Sequence, residues 1–313
     1  MRRLLLVLSL LALVLAPAAL ADGGPSPGVM AGWDGVAASG SSVRYVTLPA
    51  AKQTVVATVK KDGGRIVGFA LVNGSWGIPS VAWDGSTGGL ARDRATLVLG
   101  ESPVAPQLRK RSAFLIVNTK RLNIRDRITL NGDFSFDALS PDGATLYLIQ
   151  HVDARRLTRY VVRSYDLEHG RLNPGAIADK TQRGWVMAGW PMTRATSADG
   201  RWVYTLYRRD GGYPFVHVLD AQRGVAHCVG IPWRGNQDAL WKTKLAAASN
   251  GVAIRRDGRT VASIDNRTFR FERATTQRAS FPWWIVAVVV ATATPGSLLG
   301  RSLRRRRSAA ARA

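Results

Sequence analysis

The 313-residue chain carries 44 Lys and Arg against 21 Asp and Glu, a formal net charge of +23, and a single cysteine, Cys228. One cysteine excludes an intrachain disulfide, so a domain outside the cytosol must rest on a large apolar core. Such charge ordinarily suggests nucleic acid, but the two ends of the chain point instead to anionic lipid head groups or cell-envelope polymers.

The chain opens on Met1-Arg2-Arg3 and an uncharged run from Leu4 to Ala21, closed by the small-x-small signal Ala19-Leu20-Ala21. This predicts a secretory signal peptide over 1–21, followed by a linker over 22–30. From residue 31 to 275 a short phrase returns. Ser140-Pro141-Asp142-Gly143-Ala144-Thr145-Leu146-Tyr147 is its clearest copy and Ser197-Ala198-Asp199-Gly200-Arg201-Trp202-Val203-Tyr204 a second. Asp257-Gly258-Arg259-Thr260-Val261 is a third, Asp93-Arg94-Ala95-Thr96-Leu97 a degenerate fourth, and Ser39-Gly40-Ser41-Ser42-Val43 a weaker fifth. Anchored on Ser39, Asp93, Asp142, Asp199 and Asp257, the steps are 54, 49, 57 and 58 residues. A period near fifty with strand-forming content predicts a β-propeller.

One repeat reads as four strands. Asp133–Leu139 alternates as an inner strand, Ser140–Gly143 turns, and Ala144–Gln150 and Arg159–Tyr165 are the next two strands. Asp166-Leu-Glu-His-Gly170 turns again before a fourth strand from Arg171. This second turn phrase recurs as Asp220-Ala-Gln-Arg-Gly224 and, more loosely, Lys60-Lys-Asp-Gly-Gly64. Five blades result. The fifth is thin, and a strand from residues 31–48 would complete it and close the ring. The Asp of the first phrase is expected to bond local backbone N–H groups and to do no chemistry.

After the repeats, Ala279 to Gly300 carries no charge, with Trp283 and Trp284 at one edge and Arg301 and Arg304–Arg307 at the other. This predicts a single transmembrane helix over 281–300 and a basic cytoplasmic tail over 301–313. Eight arginines lie in the two ends, so the intervening exported part holds 36 bases against 21 acids. With the propeller outside the cell membrane, nucleic acid is not the expected partner.

The two turn phrases, in one phase, resemble those of the bacterial WD40-like and YVTN-type propeller families, whose repeats also read S-P-D-G-x-x-L-Y and then D-x-x-x-G. The resemblance covers about residues 31–275 and implies the propeller fold. Trp33-Asp34 and Trp83-Asp84 lie elsewhere in the repeat and are not the eukaryotic Trp-Asp signature.

The same phase puts the loops between second and third strands, and those between blades, on the face opposite the turns. Trp76, Trp185, Trp190, Trp233 and Trp241 fall in the between-blade segments. Arg155, Arg156, Arg208 and Arg209, with Arg109–Arg111, fall in the within-blade loops. Indole faces stack on sugars and Arg forks grip phosphate or carboxylate, so this face is a candidate for an anionic or sugar-bearing envelope ligand, or for a protein partner. The same Trp could equally fill the spaces between blades. Cys228 beside His227 reads as a buried strand residue rather than a metal pair, and no metal, cofactor or catalytic residue is assigned. The sequence lacks G-x-S-x-G and H-E-x-x-H motifs. The expected role is a membrane-tethered binding or scaffold module. The alternative is an envelope glycan hydrolase or lyase using axial carboxylates, for which Asp133, Asp153, Asp210 and Asp238 are within reach of this face.

Overall fold

A computed structural model describes residues 28–102, 108–182, 184 and 186–274. These residues form five antiparallel sheets, each a meander of neighbouring strands. The first is β2 (Gly32–Val36), β3 (Val43–Ala50), β4 (Gln53–Lys60) and β5 (Ile66–Asn73). The second is β6 (Trp76–Pro79), β7 (Thr96–Glu101), β8 (Arg111–Asn118) and β9 (Asn123–Asn131), with β1 (Val29–Met30) added beside β6. The third is β10 (Phe134–Leu139), β11 (Thr145–His151), β12 (Arg159–Asp166) and β13 (Arg171–Leu172), with β14 (Met187–Ala188) also on β12. The fourth is β15 (Trp190–Thr196), β16 (Trp202–Arg208), β17 (Phe215–Asp220) and β18 (Val225–Gly230). The fifth is β19 (Thr243–Ala248), β20 (Gly251–Arg256), β21 (Arg259–Asp265) and β22 (Phe271–Arg273).

Strand alternation explains why these sheets stack as blades. Side chains point to opposite faces at every step, and both faces of a central strand are apolar here. Tyr204, Leu206, Val216 and Val218 of the fourth sheet share a core with Leu245, Val252, Ile254 and Ile264 of the fifth. Similar clusters join the first sheet to the second, the second to the third and the third to the fourth. Burying each large apolar side chain contributes about 1.5–3 kcal/mol, so these four seams hold the β-propeller together. The seam between the fifth and first blades differs. Among the described residues no buried cluster spans it, and Val46, Ala57 and Val59 form a core within the first blade alone.

The first turn phrase is built by side chains. The Ser140 hydroxyl donates to Asp142 at 2.5 Å, and Asp142 also accepts from Ala144 N at 3.0 Å. Ser197 and Asp199 repeat this, with donors Ser197 Oγ at 2.5 Å and Arg201 N at 3.1 Å. Gly143 and Gly200 take positive φ, 70° and 76°, which only glycine adopts without strain. In the degenerate copy Arg94 holds φ 62° instead. The expected local role of Asp142 and Asp199 is the one found.

The second phrase occurs more often than its glycines reveal. Asp166 and Asp220 each accept two backbone N–H groups from the next three residues. Asn118 and Asp265 do the same. The fourth residue after each carboxylate or amide is left-handed: Gly170 and Gly224, but also Leu122 at φ 51° and Phe269 at φ 53°.

Three features depart from the sequence reading. β2 and β3, which take up most of residues 31–48, pair in the first blade, and β22 supplies the fifth blade's own fourth strand. The ring is therefore not completed by that exchange. Val29 and Met30, placed in the linker, pair with Pro79 and Ile78. Finally, the inner strand of the second blade is interrupted. Residues 79–88 form a hairpin, with Val81 N bonded to Ser86 O at 2.8 Å and Gly88 N to Pro79 O at 2.9 Å. Its tip bears Trp83 and Asp84. Trp83 N reaches Pro191 O at 2.8 Å and Asp84 N reaches Met192 O at 3.2 Å, both on β15. Lys244 of β19 meets the Asp84 carboxylate at 2.9 Å. A hairpin rooted in the second blade and bonded to the innermost strands of the fourth and fifth crosses the propeller axis.

The signal peptide over 1–21, the transmembrane helix over 281–300 and the basic tail lie outside the described residues. Among the described residues no helix is long and apolar enough to cross a membrane.

Candidate binding cavity

The hairpin divides the axis into unequal halves. The inner strands run from the loop end of the propeller to the turn end. The hairpin tip lies against the beginnings of β15 and β19, on the loop side. Below it, toward the turns, an axial cavity of about 650 Å³ is left open. The ends of the inner strands wall it: Val36, Phe136 to Leu139, Thr196 and Ala247. The returning limb of the hairpin adds Thr87 and Gly88. Gly88 is required there, because a Cβ would lie 2.6 Å from the Phe136 ring.

The mouth is lined by small residues of the repeated turns, among them Ala38, Ser39, Ser140, Ala198 and Gly200. Their short side chains leave the mouth open. The Ser140 and Ser197 hydroxyls are occupied by Asp142 and Asp199, which are held below the usual carboxylate range chiefly by those hydroxyls, with help from backbone N–H groups and against an opposing rise from burial.

One ion pair marks the cavity wall. Arg194 of β15 reaches across to β10, where it bonds both the carboxylate and the backbone carbonyl of Asp137, and its Nε donates to Thr205 Oγ1 at 2.9 Å. The two charged side chains are 7% and 2% exposed. Each nitrogen of the guanidinium thus has a partner, which a buried charge needs to be tolerated. At the rim, Arg92 donates to Ala198 O at 2.6 Å and Arg94 to Ser39 O at 3.1 Å. These bonds tie the turns of the first, second and fourth blades around one opening. The arrangement is a polar, backbone-rich socket. Two of its serines, Ser140 and Ser197, donate to carboxylates.

The predicted Trp and Arg residues are distributed unevenly over the other end. Trp76 is 2% exposed in the core between the first and second blades, its indole N–H bonded to Asn73 O. Its ring is a packing element and cannot present a stacking surface to a ligand. Trp185 lies outside the described residues. Trp190 and Trp233 are half-buried against the core of the fourth and fifth blades. The Trp190 N–H donates to Asp210 at 3.2 Å, and the Trp233 ring is covered by the Arg256 guanidinium at 4.7 Å. Of the predicted Trp among the described residues, only Trp241, in a short 3-10 helix (Gln237–Lys242), is well exposed, at 53%.

Three arginines of that end, Arg109, Arg156 and Arg208, meet acids through their guanidinium groups, whereas Arg155 and Arg209 are held through the backbone. Arg156 pairs with Asp153 at 3.0 Å, and the Arg155 N–H bonds the same carboxylate. Arg208 lies between Asp210 and Asp238, at 3.8 and 3.6 Å. Gln237 accepts from Arg209 N and donates to Arg209 O. Arg109 pairs with Asp133 at 2.7 Å, beside buried His151 at 3.4 Å. The structure therefore groups Trp190, Arg208, Arg209, Trp233 and Trp241 into one connected patch over the fourth and fifth blades. Arg155 and Arg156 belong to the third blade. Asp133, Asp153, Asp210 and Asp238, the carboxylates considered for hydrolysis, are each bound to a neighbour.

A second hollow of about 370 Å³ opens beside that patch, lined by Asp179, Gln182, Arg209, Tyr213 and Cys228. Cys228 faces His217, not His227, with Sγ 3.6 Å from Nδ1. Burial pushes the thiol up to about 12 and the His217 imidazole down to about 4, so both are neutral. Among the described residues no group of three or more His, Cys, Asp or Glu is arranged to hold a metal.

No family model matches the sequence, and no curated protein matches it. Solved structures do resemble it in fold. TolB from Acinetobacter baumannii is 13% identical, with 75% of this chain and 52% of that chain covered and a TM-score of 0.39. A putative TolB from Agrobacterium tumefaciens is 15% identical over 73% of this chain and 76% of that one, with a TM-score of 0.39. The acylaminoacyl peptidase of Pyrococcus horikoshii is 13% identical over 76% of this chain and 32% of that one, with a TM-score of 0.38. The chain spans about half the length of the Acinetobacter protein. At these identities and scores no function is transferred from them.

Proposed function

We propose that the protein is a membrane-tethered, extracytoplasmic β-propeller that acts as a binding or scaffold module and engages a segment of a protein partner through the axial cavity at its turn end. The observation that carries this reading is the cavity itself. It has about 650 Å³ of space, a rim of small turn residues and a single wall bearing a satisfied Arg194–Asp137 pair. Concave sites with a few placed polar groups are where binding concentrates. The tether and the location rest on the apolar stretch 281–300 followed by Arg301 and Arg304–Arg307, and on the leader over 1–21. An envelope component bound at the loop-end Trp and Arg patch is the weaker alternative, because Trp190 and Trp233 are half-buried against the blade core and Arg208 already lies between Asp210 and Asp238.

The test is to narrow the mouth without touching the core. Ala198 and Ala247 are exposed cavity residues. Ala198→Trp and Ala247→Trp should leave thermal unfolding of the full chain unchanged and abolish co-purification of the partner from solubilised native membranes. Retained co-purification, or its loss on Trp241→Ala instead, contradicts the proposal.

A further inference from the structure

The first blade presents an apolar surface that its neighbours leave uncovered. On β5, Gly68, Ala70 and Val72 turn toward the second blade. A Cβ on Gly68 would touch Leu122, and Ala70 and Val72 pack in the shared core. Val67, Phe69 and Leu71 therefore face the opposite way, toward the seam that lacks a bridging core. They are 46%, 65% and 55% exposed, and Ile66 beside them is 42% exposed. Single exposed apolar residues are ordinary, but a contiguous group on an edge strand marks an interaction surface.

The charge around this group is one-sided. The β4–β5 turn brings exposed Lys60, Lys61 and Arg65 to the end of the strand, with Asp62 the one acid among them. The adjoining β8–β9 turn adds exposed Lys120 and Arg121. Apolar side chains flanked by Lys and Arg match the boundary between head groups and acyl chains of an anionic bilayer. The rings and branched chains enter the boundary while the cations stay at the phosphates. A soluble protein partner for Phe69 and Leu71 has no such need of five cations within two adjacent turns.

We infer that the outer edge of the first blade, Ile66 to Leu71 with the basic β4–β5 and β8–β9 turns, is a docking surface for anionic lipid. The inference rests on the extracytoplasmic, membrane-associated location proposed above. It adds that the propeller lies against the bilayer on one flank rather than hanging free from a tether.

The full chain, carrying Cys228→Ser and a nitroxide on Phe69→Cys or Leu71→Cys, is reconstituted into vesicles of phosphatidylcholine alone or with an equal part of phosphatidylglycerol. A label on Arg155→Cys serves as the control. The expected result is a several-fold loss of accessibility to an aqueous relaxation agent at 69 and 71 in the anionic vesicles only. High salt, or Lys60→Glu with Lys61→Glu and Arg65→Glu, should restore accessibility, while position 155 stays unchanged throughout. Equal accessibility at 69 and 155 overturns the inference. So does protection at 69 that ignores lipid charge, or spin–spin broadening that reveals a second copy on the patch. Release of the chain from vesicles by alkaline carbonate would refute the tether separately, since lipid contact at 69 is read at neutral pH.

Discussion

At the turn end, Asp142 and Asp199 each collect a serine hydroxyl and a backbone N–H in matching geometry. At the loop end, Arg208 is shared between two acids at 3.6 and 3.8 Å and Trp241 lies half in solvent. Short repeated turns fix the rim of the cavity because each turn satisfies its own polar groups. The longer loops vary from blade to blade, and charges such as Arg156 and Arg208 are matched by acids nearby.

The largest expected difference between the ends comes from the cavity's ion pair. Arg194→Met leaves the Asp137 carboxylate buried without its partner and should cost about 3–5 kcal/mol of stability. Trp241→Ala should remain within about 0.5 kcal/mol. Urea unfolding of the two variants measures both, and equal costs would erase the distinction.

The strands between the two ends carry a separate pH signature. His217 is held near 4 in the fold against an ordinary value of 6.5, chiefly by burial. The unfolded chain therefore takes up the proton first. Stability should be complete above about pH 6.5 and fall by about 3 kcal/mol as the pH drops to about 4. His217→Gln should flatten that limb. A second loss belongs to the turn end. Asp142 and Asp199 are depressed in the fold, so their contribution is present above the ordinary carboxylate value and disappears below about pH 4. Asp142→Asn with Asp199→Asn should shrink this lower limb, to which Asp84, Asp133 and Asp179 also contribute, and leave the upper one.

Smaller effects separate the turns themselves. Asp142→Ala or Asp199→Ala should cost about 1 kcal/mol, whereas Arg155→Ala at the loop end should cost almost nothing. Arg94→Gly should change stability by less than about 1 kcal/mol, since relief of the left-handed strain is offset by loss of the Arg94 bond to Ser39 O. Thermal melts of this series rank the turns directly.

The propeller was legible in the sequence where glycine recorded backbone geometry, as at Gly143, Gly170, Gly200 and Gly224. It was illegible where another residue took the same conformation. Leu122 and Phe269 occupy the left-handed position because each also packs a side chain. Leu122 lies in the core, and Phe269 stacks 3.8 Å from His227. The axial hairpin was hidden for a different reason. Trp83 and Asp84 act through backbone N–H groups and through Lys244, 160 positions away, and such pairings leave no local pattern. The cavity was missed because its lining is alanine, serine and glycine, whose contribution is shape and backbone.

The central claim is that the turn-end cavity, and not the loop-end patch, receives the partner. Photo-crosslinking in living cells, with the reactive residue at Ala198 in one strain and at Trp241 in another, tests it most directly. A discrete adduct from position 198 alone is the predicted result. A discrete adduct from position 241, with none from 198, would contradict it.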